Sequence, residues 1–178
     1  MRDVELEKRI QADLDAGHNV WVVGDVHGFF QSMTALCSQL NLRQGDWVVF
    51  LGDLIDRGPN GFGVVHHVMH HPQCASVRGN HEDMMVRQFT MDKLRTPDLD
   101  VMLWMRNGGN TTVASYMDAS RDSTGALDEE GLEHLAREHT DWMARLPTHL
   151  VLNRWRLVHA GYSPDAPLDG QRDEDLLW

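Results

Sequence analysis

The stretch DWVVFLGDLIDRGPN, residues 46–60, sets the apolar run Trp47 to Leu51 against a sudden sequence of glycine, carboxylates and arginine. β-Branched and aromatic residues in so short a run read as a β-strand. It then stops on Gly52-Asp53, residues that contribute little to a core. Three other runs end in the same way. NVWVVGD closes on Gly24-Asp25 with His27 beyond it, CASVRGN closes on Gly79-Asn80 with His81-Glu82 beyond it, and WRLVHAG closes on His159-Ala160-Gly161. The first three runs are separated by segments of helix length, 31–42 and 61–71, which predicts strand-helix-strand units and a mostly parallel sheet. Sites in such α/β sheets lie at the carboxyl ends of the strands.

The bulk composition narrows the function. A chain of 178 residues with 42% hydrophobic content can bury one substantial core, so residues 1–178 are expected to form a single domain. Lys and Arg number 16 against 27 Asp and Glu, a net charge of −11. That balance argues against a general affinity for nucleic acid or anionic membrane, and any phosphate group the protein handles must meet a local positive charge. Cys37 and Cys74 stand far apart in the chain, and the N-terminus is charged with no apolar signal core. No run approaches the roughly 18 apolar residues of a membrane span. These features predict a soluble, reduced, cytoplasmic protein.

Residues 4–16 carry Val4, Leu6, Ile10 and Leu14 among charges, the pattern of an amphipathic helix that Gly17 can stop. Residues 83–145 look largely helical, with Leu132, Leu135, His139, Trp142 and Leu146 on one face, interrupted by the polar loop DASRDSTGALDE. HHVMHH, 66–71, places His66 and His70 at i,i+4. It lacks the intervening carboxylate of an HExxH site and reads as a solvated helix end. Met84, Met85, Met102 and Met105 read as core filler. Gly45-Asp46 precedes its strand and reads as a plain turn, and Arg78 as a structural partner of nearby carboxylates or carbonyls. RNGGN, 106–110, fits either a helix stop or a loop beside a substrate.

In a parallel sheet the four strand ends converge and bring Asp25, His27, Asp53, Asn80 and His159 to one edge. Carboxylate, imidazole and amide oxygen with no thiolate suit Mn²⁺, Fe²⁺ or Zn²⁺ better than a closed structural zinc site. Asp25 and His27 at i and i+2 point the same way if the segment stays extended. One ion could take Asp25, His27 and Asp53, and a second could share Asp53 and add Asn80 and His159. Two ions about 3.5–4 Å apart can activate water and hold phosphoryl oxygens in line with it. Turn chemistry alone leaves the histidines at these ends unexplained.

GDVHG (24–28), GDLIDRGPN (52–60), GNHE (79–82) and VHAG (158–161), in this order, resemble the PPP-type serine/threonine phosphatases of the calcineurin-like metallophosphoesterase superfamily, and most of all their small bacterial and phage-type members. The resemblance covers about Val20 to Trp178. It implies a β-sandwich core with flanking helices, and two divalent ions, Mn²⁺ foremost, held by Asp25, His27, Asp53, Asn80 and His159. His81 would be the general acid, Asp56 its carboxylate partner and Arg57 a phosphate-binding residue, with Glu82 supporting the site. The implied reaction is hydrolysis of phosphoserine or phosphothreonine in a phosphoprotein or phosphopeptide by a metal-activated hydroxide.

The sequence departs from the family beyond Leu176 to Trp178, where members continue with a phosphate-gripping arginine and a Gly-His metal ligand. The expectation is a domain lacking its C-terminal strands, with a second metal site that binds more weakly. Two rival readings follow. A bis(5'-nucleosyl)-tetraphosphate hydrolase shares most of the motifs, although Asp56 and Glu82 lean toward the protein phosphatases. A regulatory remnant would bind metal or phosphoprotein without turnover.

Overall fold

The computed structural model describes residues 1–89 and 97–178. β2 (Trp47–Phe50) lies at the centre of a three-stranded parallel sheet, flanked by β1 (Val20–Val23) and β3 (Cys74–Ser76). Val23 is in register with Phe50, and Phe50 with Ser76, so the three strands finish level with one another. All four side chains of β2 are buried. Alternate residues of a strand point to opposite faces, and the two faces belong to different clusters. Val48 and Phe50 pack with Val64, Val65, Met84 and Met143, whereas Trp47 and Val49 pack with Ile10, Val77, Leu150 and Leu157.

The first cluster is roofed by helices. α2 (Phe30–Gln39) and α3 (Gly61–His70) connect the parallel strands, and α4 (Asn80–Phe89) leaves β3 directly. Asn60 starts α3 by accepting the Gly63 N–H at 2.7 Å, as a short amide at an N-cap does. On the opposite face α1 (Val4–Asp15) closes the second cluster through Leu6, Ile10 and Leu14. Asp3 caps it, and Gly17 follows at φ +87°.

The fourth apolar run departs from the sequence expectation. It forms β5 (Arg156–Val158), which stays out of the parallel sheet and pairs antiparallel with β4 (His149–Val151). β4 follows Pro147 and ends on no glycine or ligand residue, so the pattern that revealed the other strands passes it over. The second cluster joins both sheets through Val49, Val77, Leu150 and Leu157, which makes the core a small sandwich. His159 therefore reaches the sheet edge from across this core.

The middle of the chain carries α5 (Pro97–Trp104), α6 (Asn110–Ala119) and α7 (Glu129–Arg145); α8 (Asp173–Leu177) closes the chain. Residues 90–96, part of the stretch expected to be helical, lie outside the described residues. Of DASRDSTGALDE, Asp118 and Ala119 end α6 and Glu129 begins α7, and the residues between form a loop organised by Asp122, whose carboxylate accepts the N–H groups of Thr124 and Ala126. Met84 and Met85 are core residues, but Met102 is 49% exposed. α5 is apolar all round in its last turn, so only part of it can face inward. No described helix is long and apolar enough to cross a membrane.

HHVMHH is more than a solvated end. His66 and His70 are exposed, yet His66 stacks on Phe62 and its Nδ1 lies 3.4 Å from Nε2 of the fully buried His139 on α7. His139 Nδ1 is 2.8 Å from the Tyr116 hydroxyl. Burial first, and the neighbouring His66 and His70 second, depress the His139 pKa from 6.5 to about 4. The unfolded chain therefore binds an extra proton between those values, so this side chain's contribution to stability is complete above pH 6.5 and is lost as pH falls toward 4. The expected loss is about 3 kcal/mol. Urea midpoints measured from pH 7 to pH 4 should fall more steeply for the wild type than for His139→Gln. Parallel slopes would contradict this.

Candidate metal centre

The level ends of β1, β2 and β3 deliver three loops to one edge, and their backbones are unusual. Among the described non-glycine residues, positive φ occurs at His27 (46°), Asn41 (47°), Asp53 (51°), Asp56 (70°) and Arg57 (66°). All but Asn41 are candidate site residues. L-residues rarely adopt this region, and holding one there costs on the order of 1–3 kcal/mol. The surrounding bonds hold them: the N–H groups of Val26 and His27 both reach the Asp53 carbonyl, at 3.0 and 2.8 Å.

Asp53 is the hub. Its Oδ2 lies 3.5 Å from His27 Nε2, and its Oδ1 lies 3.4 Å from His159 Nε2. The two histidines are held alike. His27 Nδ1 is 2.9 Å from the Ile55 carbonyl and His159 Nδ1 is 2.8 Å from the Leu51 carbonyl. A carbonyl only accepts, so each Nδ1 donates, and each Nε2 is turned toward Asp53. Backbone bonds of this kind orient metal-ligating imidazoles. Asp25, half exposed, brings Oδ2 to 3.7 Å from His27 Nε2.

These residues fit divalent cations. Ligand atoms of Asp25, Asp53 and His159 lie within 4.8 Å of one another, as do those of His27, Asp53 and His81, with Asp53 in both groups. Asn80 makes the stronger case. Its amide oxygen is 3.0 Å from His159 Nε2 and faces acceptors only, the Asp53 carboxylate among them. Turning the amide over would let its nitrogen donate to both groups. Carboxylate, imidazole and amide side chains thus converge at one point, a donor set that a divalent cation can take up. Oxygen and imidazole donors without thiolate are those of Mn²⁺, Fe²⁺ and Zn²⁺ sites.

His81 is placed differently. It is 1% exposed, its Nδ1 lies 2.6 Å from Asp56 Oδ2, and its Nε2 is 3.8 Å from Asp53 Oδ2. Burial disfavours the imidazolium, but the bond to Asp56 and the charges of Asp53, Asp56 and Glu82 outweigh it, and its pKa is raised. Asp56 is itself fully buried. It accepts Trp104 Nε1 at 2.9 Å and Thr112 Oγ1 at 2.6 Å. Sequence reasoning missed both residues. The available signal was their position on either side of RNGGN, together with the need of a buried indole N–H for an acceptor.

Arg57 lies over the two imidazoles, with Nη1 2.8 Å from His27 Nε2 and Nη2 3.2 Å from His81 Nε2. RNGGN supports it. Gly108, at φ +105°, sits so close that a Cβ there would lie 2.7 Å from the Arg57 nitrogen. The segment Met105–Gly109 is kinked at Gly108, whose backbone is not helical, so it breaks the helical run between α5 and α6 and abuts the site.

Glu82 ties two loops together. Its carboxylate accepts the N–H groups of Asp53, Leu54 and Gly79, each at 2.8 Å, and it is fully buried. Burial and the charge of Asp53 raise its pKa while the three donors oppose that shift. A side chain at Gly79 would collide with Asp53. Arg78 has the structural character expected of it, facing Asp83 at 3.9 Å and giving its N–H to the Pro147 carbonyl. Asp46 stands apart from the centre and folds a turn, accepting the N–H groups of Asn19 and Arg43.

A model of the family described as calcineurin-like phosphoesterase matches residues 18–178. The chain is 28% identical over 167 residues to serine/threonine-protein phosphatase 2 of Escherichia coli strain K12, across 90% of this chain and 67% of that protein. It is also 28% identical over 158 residues to the asymmetrical bis(5'-nucleosyl)-tetraphosphatase PrpE of Bacillus subtilis strain 168, across 81% of this chain and 58% of that protein. The crystal structure of a metallophosphoesterase from Sphaerobacter thermophilus superposes with a TM-score of 0.50 at 22% identity, covering 83% of this chain and 48% of that one. That likeness concerns the fold. The chain thus spans from about half to two thirds of the length of the relatives it matches.

Proposed function

The chain belongs to the calcineurin-like phosphoesterase family, and on that premise we propose that it is a phosphomonoesterase acting on phosphoserine or phosphothreonine in proteins. Asp25, His27, Asp53, Asn80 and His159 would hold the divalent ions, Mn²⁺ foremost with Fe²⁺ and Zn²⁺ as alternatives. When bound, such ions supply positive charge to phosphoryl oxygens and make water a better nucleophile.

The residues of the chain do the rest. Arg57 carries a planar fork of donors at the mouth of the site, suited to two phosphoryl oxygens at once. His81 would carry the proton for the leaving oxygen on Nε2 once Arg57, whose Nη2 lies 3.2 Å from that nitrogen, turns to the phosphoryl group. Asp56 fixes the ring through Nδ1 and favours the imidazolium. Trp104 and Thr112 keep Asp56 from turning away, and Glu82 keeps the loops of Asp53 and Asn80 in one frame.

The observation that carries this reading over the nucleotide alternative is the buried His81–Asp56 pair at 2.6 Å. A serine or threonine alkoxide is a poor leaving group and needs its proton in the transition state. A nucleoside polyphosphate departs as a stabilised anion with no such need. The test compares kcat/KM for a phosphoserine peptide and for diadenosine tetraphosphate on the same preparation with added Mn²⁺. The peptide should be the better substrate by about tenfold or more, a difference of about 1.4 kcal/mol in transition-state binding. A preference for the dinucleotide would replace this reading with that of a dinucleoside polyphosphate hydrolase.

A further inference from the structure

A groove of about 490 Å³ runs beside β3, between α1 and α7, with Arg9, Trp47, Trp142 and Arg145 in its walls. Ala75 and Ser76, 7% and 2% exposed, form its floor. We propose that it binds a small aromatic anion, a planar ring system carrying one carboxylate, whose charge meets Arg9 and Arg145 and whose ring lies against Trp142.

The backbone sets the kind of ligand. The N–H groups of Cys74 and Arg78 on the outer side of β3 donate to the His71 and Pro147 carbonyls, at 3.0 and 2.8 Å, so the strand offers no ladder to an incoming chain. Recognition falls to side chains. The groove's volume lies within the range of about 300–1,000 Å³ typical of small-ligand sites.

Charge calls for an anion. In a chain of net charge −11, basic side chains find carboxylates easily. Arg2, Arg43, Arg87, Arg137 and Arg156 all lie within hydrogen-bonding or ion-pair reach of one. Arg9 and Arg145 have no carboxylate within ion-pair distance among the described residues, and both line this groove, which Arg106 and Arg154, likewise without one, do not. α1 packs with Trp47 and Val49 on one face of the sheet and α7 with Val48 and Phe50 on the other, so the two charges come from opposite banks. The donor fork of each guanidinium matches a carboxylate. Asp3 also lines the groove, but its carboxylate is engaged in capping α1 through the Leu6 N–H at 2.9 Å.

The walls call for a ring. Arg9 lies over Trp47, 5.2 Å from its centroid, an attraction that holds the guanidinium in place. Trp142 is half-buried, and its Nε1–H has no acceptor among the described residues. Leu6, Met69 and Leu146 extend the apolar wall. Aromatic rings pack on one another offset or edge-on, so a flat ring finds a partner in Trp142 while its carboxylate faces the arginines. An anion without such a body would leave the apolar wall uncovered.

The probe is 2-naphthoate, titrated into the isotope-labelled full chain without added metal while amide and indole N–H shifts are followed by NMR. The Trp142 indole and the amides of Ala75 and Leu146 should shift, and those of Asp53 and Asn80 should not. 2-Naphthylmethanol, the same ring without the charge, should bind about tenfold more weakly or worse, the loss expected of a charged hydrogen bond. Arg9→Gln combined with Arg145→Gln should weaken naphthoate binding by about tenfold or more. Both arginines lie outside the metal centre, so nitrophenyl phosphate turnover of that variant should match the wild type and attest its fold. Should it fold poorly, the two ligands compared on the wild type still decide. Equal binding of naphthylmethanol would remove the arginines from recognition and overturn the proposal. Equal shifts with acetate would reduce the groove to an anion patch and also overturn it, as would shifts confined to the metal centre. None of these readouts uses phosphopeptide turnover, so the result stands apart from the reaction proposed above.

Discussion

His81→Asn should slow hydrolysis of a phosphoserine peptide by about 10²–10⁴-fold, the range typical of lost general acid catalysis, and slow nitrophenyl phosphate much less. Nitrophenolate leaves without a proton, so only the alkoxide substrate depends on the acid. Arg57→Ala should behave differently. Its guanidinium would meet phosphoryl oxygens common to both substrates, and both should slow by similar factors. Trp104→Phe removes a donor to Asp56 without touching substrate and should shift leaving-group selectivity in the same direction as His81→Asn, by less. Steady-state kinetics on the two substrates separate these roles. Equal slowing of both by His81→Asn, with loss of metal, would make His81 a ligand, a role its distance of 3.8 Å from Asp53 Oδ2 leaves geometrically open.

The second large effect concerns Asp53. One of its oxygens faces His27 and the other faces His159, so Asp53→Asn should empty both metal positions. The affinity loss should exceed the roughly 10–100-fold that removal of a hydrogen-bond partner of a ligand costs. Asn80→Ala should deplete mainly the position beside His159, where its oxygen lies at 3.0 Å. Mass spectrometry of the folded protein under non-denaturing conditions reads both stoichiometries. Equal depletion by the two substitutions would remove Asp53 from its bridging role. Asp46→Asn is the control: its carboxylate folds a distant turn, so it should destabilise the chain while leaving metal content intact.

Much of this arrangement was legible in the sequence, because a short apolar strand leaves a sharp signature when it meets ligand residues. Val20–Val23, Trp47–Phe50 and Cys74–Ser76 each run from an apolar stretch into a loop of glycine with carboxylate, amide or imidazole. Glycine is required where Gly79 approaches Asp53 too closely for any side chain. Local chemistry thus pointed to residues that could form a metal centre, and the resemblance of the motifs added His81 and Asp56 beside it.

Tertiary structure decided what local patterns do not encode. β4 is too short and too plain to stand out, so the sequence placed His159 on the parallel sheet, whereas packing through Leu150 and Leu157 delivers it from a second one. Trp104 and Thr112 lie 48 and 56 positions from Asp56 and meet it only because α5 and α6 fold back over the site. His66 lies in a histidine run that looks solvated, and it finds buried His139 only once α7 has docked. The candidate ligands are locally legible because each lies in the segment that follows a strand. The supporting hydrogen bonds depend on how separate elements are brought together, and long-range packing alone determines that.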